Sequence, residues 1–272
     1  MNKKLIAIDL DGTTLNEQTT IDPLTIDVIQ QLRKQGHIVS IVTGRPYRTS
    51  YQHYDTLGLD TPIVNFNGAW CHFPNHADWA YAYHKYLSTD LMHDLFQLKD
   101  KKEIQLISAE VGQHVYTSSP YVPYEDFFPD GSEAAEPYTK DLQAQPTAVN
   151  AFTPSKHLQH KIEKQIIKDY GDKVEIRTWG GKAPCVEIVA AGVQKAMGVE
   201  KIADYYNIPQ KDIIALGDED NDYEMIQFAG HGVAMKNAIP SIKKIANDIT
   251  DHTNDEQGLA RYLAKYFGIE LK

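Results

Sequence analysis

Short, uninterrupted apolar runs alternate with amphipathic stretches at both ends of this chain. Leu5-Ile6-Ala7-Ile8 is apolar throughout, as a strand covered on both faces must be. From Pro23 to Gln35 the positions Leu24, Val28, Ile29 and Leu32 recur with helical spacing, and Gly36 suits the helix end. A second strand-like run, Ile38 to Val42, leads into Thr43-Gly44-Arg45-Pro46, with Pro46 in the first turn of a helix reaching about residue 57. A third run, Ile63 to Phe66, stops at Asn67-Gly68. Strand, helix, strand, helix, strand in this order predicts a parallel sheet with right-handed crossovers.

The same rhythm returns late. Lys195 to Tyr206 is expected as a helix, Ile213 to Leu216 as a buried strand ending at Gly217-Asp218, and Gly232 to Met235 as another strand. Short helices are expected over residues 223–229 and 241–247, and a final one over 259–267. Between these blocks the pattern changes. Residues 103–119 and 174–189 read as antiparallel hairpins, the second turning at Gly180-Gly181. Residues 91–99 and 158–170 read as amphipathic helices, and 121–146 as a long irregular connection. The prediction is therefore an α/β protein: a parallel-sheet core domain from residues 1–83 and 189–272, with an α+β domain inserted over 84–188.

Composition narrows the function. The 272 residues, 42% hydrophobic and 24% charged, suffice for a full core split into two domains. A net charge of −10 argues against a nucleic-acid partner, which needs a basic face. It also repels anionic substrates, so an anion-binding enzyme with this balance must concentrate positive potential locally or recruit a metal ion. Cys71 and Cys185 are the two cysteines and lack metal-ligand spacing, which implies a reducing compartment. The first apolar run meets Asp9 and Asp11 too early for a membrane span or a signal-peptide core, so a cytoplasmic protein is expected.

Four polar constellations fall at strand ends or helix starts of the predicted sheet. Asp9-Leu10-Asp11-Gly12-Thr13 follows the first strand, where ligands bind in open parallel sheets. Two carboxylates at i and i+2 around a tight turn can share nucleophile and acid–base roles. Thr43-Gly44-Arg45 offers a hydroxyl and backbone N–H groups at a helix start, an anion site if it is more than a helix cap. Lys195 opens a helix; taken alone, it reads as a solvated surface lysine. Gly217-Asp218-Glu219-Asp220-Asn221-Asp222 concentrates acids that repel one another unless a cation sits among them, and hard oxygen donors select Mg²⁺.

These motifs, in this order, resemble the four motifs of the haloacid dehalogenase-like superfamily, and more narrowly its Cof-type hydrolases with a C2-type cap. Asn67-Gly68 and the run Gly232 to Ala238 are similar to that subfamily too. The resemblance implies a Rossmann-like core, a cap that closes over the site, and a Mg²⁺-dependent phosphatase acting on a small phosphorylated metabolite, sugar phosphates being the expected class. It implies that Asp9 is the nucleophile, forming a phosphoaspartyl intermediate, and that Asp11 is the general acid/base. Asp9, Asp11 (through its carbonyl) and Asp218 would hold the metal. Leu10, Thr43, Gly44, Lys195 and Asn221 would hold the phosphoryl group, and Asp222 would orient the lysine or a metal-bound water. Dehalogenases of the superfamily lack a carboxylate at the place of Asp11, which favours phosphoryl transfer. Thr14 stands where leucine is common, with no chemical consequence expected. A phosphomutase of the same superfamily and a catalytically silent phosphometabolite-binding regulator are the rival expectations.

Other features carry less. His157, His160, His72 and His76 are expected as surface or packing histidines, lacking a Cys/His metal pattern. Tyr121, Tyr124, Phe127 and Phe128 suit packing within the inserted domain better than a pocket lining. Trp179 and Lys182 flank the Gly180-Gly181 turn, and as loop residues they are the candidates for substrate specificity.

Overall fold

The computed structural model describes residues 2–101, 103–120, 135–179 and 184–271. From the N-terminus the elements run β1 (Leu5–Ile8), α1 (Pro23–Lys34), β2 (Ile38–Ile41), α2 (Tyr47–Thr56), β3 (Ile63–Asn65), β4 (Trp70–His72) and β5 (Tyr83–His84). There follow α3 (Thr89–Lys101), β6 (Leu106–Val111), β7 (His114–Thr117), β8 (Ala135–Pro137), β9 (Ala148–Phe152), α4 (Lys156–Tyr170), β10 (Val174–Trp179) and β11 (Cys185–Ala190). The chain closes with α5 (Lys195–Tyr206), β12 (Ile213–Gly217), α6 (Tyr223–Phe228), β13 (His231–Ala234), α7 (Pro240–Ile245), β14 (Asp248–Ile249) and α8 (Gly258–Phe267).

Contacts divide the chain into two units: residues 1–45, 50–83 and 194–272, and residues 46–49 with 84–193. In the first, a parallel sheet runs β14-β13-β12-β1-β2. β1 lies between β12 and β2, with Ile8 opposite both Leu216 and Ile41. All four residues of β1 are buried, which is why the run has no polar alternation. The third apolar run lies parallel to the end of β2, as expected, through the bridge Val42 to Val64 and the Thr43 N–H donating to the Val64 carbonyl at 2.9 Å. β3 also pairs antiparallel with β4 in a three-stranded sheet, β3-β4-β5, which was not expected. The cause is local: Asn67 and Gly68 adopt positive φ, 56° and 104°, and turn the chain straight back on itself.

The second unit is built on a six-stranded sheet ordered β10-β11-β9-β6-β7-β8. Strand alternation gives it two unlike faces. Ile107, Ala109, Val149, Ala151, Val186 and Ile188 join Leu91, Met92, Leu95 and Phe96 of α3 and Ile162 and Ile166 of α4 in one apolar cluster. Burying each such large side chain stabilises the fold by roughly 1.5–3 kcal/mol. The intervening residues face the other way and include Ser108, Glu110, Asn150 and Glu187, all buried. Within the stretch expected to be irregular, β8 was hidden by its short length and by Pro137; β9 lies just beyond that stretch, where no strand was expected. The aromatic residues Tyr121, Tyr124, Phe127 and Phe128 lie outside the described residues, as do Gly180, Gly181 and Lys182; Trp179 ends β10. Cys71 and Cys185 are both buried. Among the described residues no helix is long and apolar enough to cross a membrane.

Candidate active site

Strand register assembles the site. Because Ile8 stands opposite Leu216 and Ile41, the residues that follow each strand emerge side by side: Asp9 after β1, Asp218 after β12, Thr43 after β2. The Asp9 N–H donates to the Leu216 carbonyl at 3.1 Å, extending the ladder up to the acid itself. β1 leads to β2 on one side, while β12 on its other side leads away to β13, so the strand order reverses direction between β1 and β12, where such sheets open a crevice at this rim.

Asp9, Asp218 and Asp222 are all buried, and each offers a carboxylate oxygen within 4.8 Å of the others. Lys195 is fully buried among them, its Nζ donating at 2.6 Å to Oδ1 of Asp9 and at 2.6 Å to Oδ1 of Asp222. The surface role that suited Lys195 in isolation is thereby ruled out. Asp222 spends its other oxygen on its own loop, accepting from the N–H groups of Asp218 at 2.9 Å and Glu219 at 3.2 Å. Asp218 accepts at Oδ1 from the Thr13 hydroxyl, 2.8 Å away. Among the described residues no donor reaches Oδ2 of Asp9 or of Asp218. Two nearly buried carboxylate oxygens without donors, beside a third acid, fit a hard divalent cation such as Mg²⁺.

The electrostatics show the same stress. Burial pushes the Asp9 carboxyl well above its usual range, Lys195 opposes this, and Asp222, Asp218 and Asp11 add to it. Burial and then Asp222 push Asp218 up to about 7, against Thr13 and Lys195. Lys195 moves the other way. Burial alone disfavours its charge, but Asp222 and Asp9 outweigh burial and raise its pKa.

Asp11 does not join this cluster through its carboxylate. Its side chain is exposed and paired with Arg45, which donates through Nη2 at 2.6 Å and Nε at 2.8 Å. Desolvation raises its pKa, but the hydrogen bonds and charge of Arg45 prevail, and the net shift is downward. Leu10 is buried in the turn between the two acids. Thr43 is buried, and its hydroxyl accepts from the Arg45 N–H at 3.1 Å. Asn221 donates at 2.9 Å to Oδ1 of Asn67, the same oxygen that lies 3.0 Å from where a Cβ on Gly44 would stand. Thr43, Gly44 and Asn221 therefore share one neighbourhood, while Trp179 belongs to the other unit.

Several contributors escaped the sequence reading. Thr13 fixes Asp218, the Thr14 hydroxyl donates to the Asp9 carbonyl, Arg45 holds Asp11, and Asn237 donates to the Gly12 carbonyl at 2.7 Å. Thr14, for which no chemical consequence was expected, thus has a structural role. Its signal was a hydroxyl within one turn of Asp9. The histidines set aside behave as packing or surface groups: His72 stacks on Trp70, and exposed His160 lies 3.1 Å from Glu163.

Gly12 carries the turn at φ +71°, and a Cβ there would stand 2.1 Å from Oδ2 of Asp218. Gly12→Ala must strain the backbone and push Asp218 away from Asp9. Loss of roughly 10²-fold in kcat/KM is expected, since a shift of about 1 Å at reacting groups costs that much. Steady-state assays of Gly12→Ala against the native chain would check it; a variant within twofold of native would show the turn to be dispensable.

Comparison with known proteins agrees with the resemblance. A family model described as haloacid dehalogenase-like hydrolase matches residues 6–263. The chain belongs to that family. Among curated members of the haloacid dehalogenase-like hydrolases, the 5-amino-6-(5-phospho-D-ribitylamino)uracil phosphatase YitU of Bacillus subtilis is 39% identical over 267 residues, covering 97% of this chain and 98% of its own. A second phosphatase of the same description from that organism, YwtE, is 31% identical, with 96% of each chain covered. A crystal structure of a haloacid dehalogenase-like hydrolase from Bacteroides thetaiotaomicron superposes with a TM-score of 0.83 over 98% of this chain and all of its own, at 24% identity. The Rossmann-like core and the separate antiparallel-sheet domain are the fold of this family.

Proposed function

We propose that this haloacid dehalogenase-like phosphatase hydrolyses a small phosphomonoester through a phosphoryl-Asp9 intermediate, with Mg²⁺ held by Asp9, Asp218 and the carbonyl of Asp11. The observation that carries the reading is the buried group of Asp9, Asp218, Asp222 and Lys195, with one oxygen each of Asp9 and Asp218 lacking a donor among the described residues. Mg²⁺ would offset the repulsion between the Asp9 carboxylate and a phosphate dianion and draw charge from the transferring group. Lys195 favours the ionised form of Asp9 and aims it, and Asp222 in turn holds the lysine. The Thr43 hydroxyl, the Gly44 N–H and Asn221 are assigned to the phosphoryl oxygens, as donors at a loop entering a helix. Asp9 attacks phosphorus as the leaving oxygen takes a proton from Asp11. Asp11 then takes a proton from the water that hydrolyses the acyl phosphate. While Arg45 grips Asp11 it remains a carboxylate, so loosening that pair is part of the first step.

The substrate class is a small phosphorylated metabolite, sugar phosphates included. The curated relatives direct the first trial to 5-amino-6-(5-phospho-D-ribitylamino)uracil. Turnover of this compound and of p-nitrophenyl phosphate, with and without Mg²⁺, tests the reading; absence of turnover of any phosphomonoester with Mg²⁺ present would end it. A chelator is expected to abolish activity. Mg²⁺ at about 100 times its Kd is expected to stabilise the fold by about 2.7 kcal/mol. In the metal-free protein, Asp218, held up to about 7, keeps its proton longer than the unfolded chain does. Its contribution to stability is therefore greatest at low pH and is lost as pH rises toward 7, and Mg²⁺ should remove that decline. Thermal melts at several pH values with Mg²⁺ or chelator would check both signs.

A further inference from the structure

The loop that follows β13, residues 235–239, has no part in the reaction above, yet it grips both of the loops that carry the acids. β13 runs parallel to β12, so this loop emerges at the same rim as Asp9 and Asp218. The Met235 N–H donates to the Gly217 carbonyl at 3.0 Å and the Ile239 N–H to the Asp218 carbonyl at 3.0 Å, holding the peptide groups before and after Asp218. Between them Asn237 reaches across to the other loop, its Nδ2 donating to the Gly12 carbonyl at 2.7 Å. Asn237 is exposed, yet both ends of its amide are engaged by the chain: Oδ1 accepts from the Asn254 N–H at 3.0 Å. Asn254 continues the tie, donating through Nδ2 to the Leu15 carbonyl at 2.8 Å. The Leu15 N–H in turn donates to the Leu10 carbonyl at 2.8 Å and closes the turn Leu10–Thr14. The loop is itself anchored, since the Lys236 N–H donates at 2.8 Å to the hydroxyl of buried Thr250.

We infer that Asn237 and Asn254 are positioning residues of the metal site, fixing the turn Leu10–Thr14 against the loop of Asp218 so that both acids stand ready for a divalent cation. The inference rests on the reading of that site as one for Mg²⁺. Its physical basis is repulsion. Asp9, Asp218 and Asp222 bring carboxylate oxygens within 4.8 Å of one another, and without a cation like charges at that range drive their loops apart. The Thr13 hydroxyl on Asp218 is one tie across the gap. Asn237 and Asn254 hold the same turn from outside, by the carbonyls of Gly12 and Leu15. With these ties made, the loops are already close when the ion arrives, and binding need not draw them together. Cutting one lets the metal-free loops relax apart. The metal-free fold then loses little, and the cation binds less tightly because it must reassemble the site.

The test uses the full chain with Asn237→Ala, Asn254→Ala and the double variant. Calorimetric titration of Mg²⁺ into the metal-free proteins is expected to show Kd raised about tenfold in each single variant, the scale on which groups that hold metal ligands in place act. The double variant should fall short of the roughly hundredfold loss that independent sites would give, because the two residues share one chain of hydrogen bonds. Melts in chelator should lie within about 3 °C of native, while the rise produced by a fixed Mg²⁺ concentration shrinks. A purely structural role has the opposite signature: a lowered melt in chelator with Mg²⁺ affinity as in the native chain. That pattern, affinity within about twofold of native in both single variants, or a native chain that takes up no Mg²⁺ overturns the inference. A raised KM for p-nitrophenyl phosphate with Mg²⁺ affinity unchanged would make Asn237 a substrate contact and overturn it as well. A native chain that binds Mg²⁺ but hydrolyses no phosphomonoester, with weakened binding in the variants, would defeat the phosphatase reading and leave the positioning role standing. Turnover by the native chain, with variants that match it in Mg²⁺ affinity, would do the reverse.

Discussion

Asp9→Asn is expected to lower turnover of p-nitrophenyl phosphate by roughly 10⁴-fold or more, the scale on which removing a covalent nucleophile acts. The amide is nearly isosteric, keeps an oxygen for the Lys195 ammonium, and cannot attack phosphorus. Its effect on the fold should be small, because two changes oppose each other. Lys195 loses one of its two carboxylate partners, both at 2.6 Å. At the same time a negative charge disappears from a buried trio in which Asp222 and Asp218 already push Asp9 upward. The net change should stay within about 1–2 kcal/mol. Acid-quenched incubation with a phosphorus-labelled substrate adds an independent measurement: label should appear on the native chain and be absent from Asp9→Asn. Residual turnover above about one per cent, or label retained by the variant, would remove Asp9 from its assigned role.

The elements of the parallel sheet were legible because each strand there is buried on both faces and prints as an unbroken apolar run. Leu5–Ile8 and Ile213–Gly217 are the clearest cases. Chemistry-bearing residues were legible for the same reason, since a strand end is a fixed address in such a sheet. Asp9, Thr43 and Asp218 follow strands, and register alone makes them neighbours. What was not legible arises from partners chosen by the three-dimensional fold. Nothing in the sequence says that Asp222 rather than the Asp11 carboxylate joins Asp9 and Asp218, because that depends on the turn at Asp220–Asp222 folding its carboxylate back under the Asp218 and Glu219 N–H groups. The Arg45–Asp11 pair spans 34 positions and has no spacing signature. The antiparallel pairing of β3 with β4, beside its parallel bridge to the end of β2, was not legible because it depends on the positive φ of Asn67 and Gly68.

Lys195→Met is expected to damage both activity and fold, which distinguishes it from Asp9→Asn. The ammonium is fully buried, and the strand below leaves no slack for rearrangement: a Cβ on Gly198, one turn along α5, would stand 2.4 Å from Val64 Cγ2. The start of the same helix is pressed by Gly68, whose Cβ would stand 2.2 Å from the Gln194 carbonyl. Methionine fills the volume but leaves Asp9 and Asp222 facing each other with no cation between them. Breaking a buried pair by removing one partner costs about 3–5 kcal/mol. The loss should depend on pH with a definite sign. Without the ammonium the Asp9 carboxyl, already raised by burial, rises further. A carboxyl with a raised folded-state pKa is most compatible with the fold when protonated, so the variant should approach native stability at acid pH and fall away as pH rises. Mg²⁺ would supply the missing positive charge to Asp9 and Asp218 and recover part of the melt, but not the phosphoryl contact, so kcat should stay down by about 10²–10³-fold. Denaturation curves at acid and neutral pH, with Mg²⁺ and with chelator, would read all of this. Stability within about 0.5 kcal/mol of native at neutral pH without metal is how a solvated surface lysine behaves, and would contradict the buried assignment.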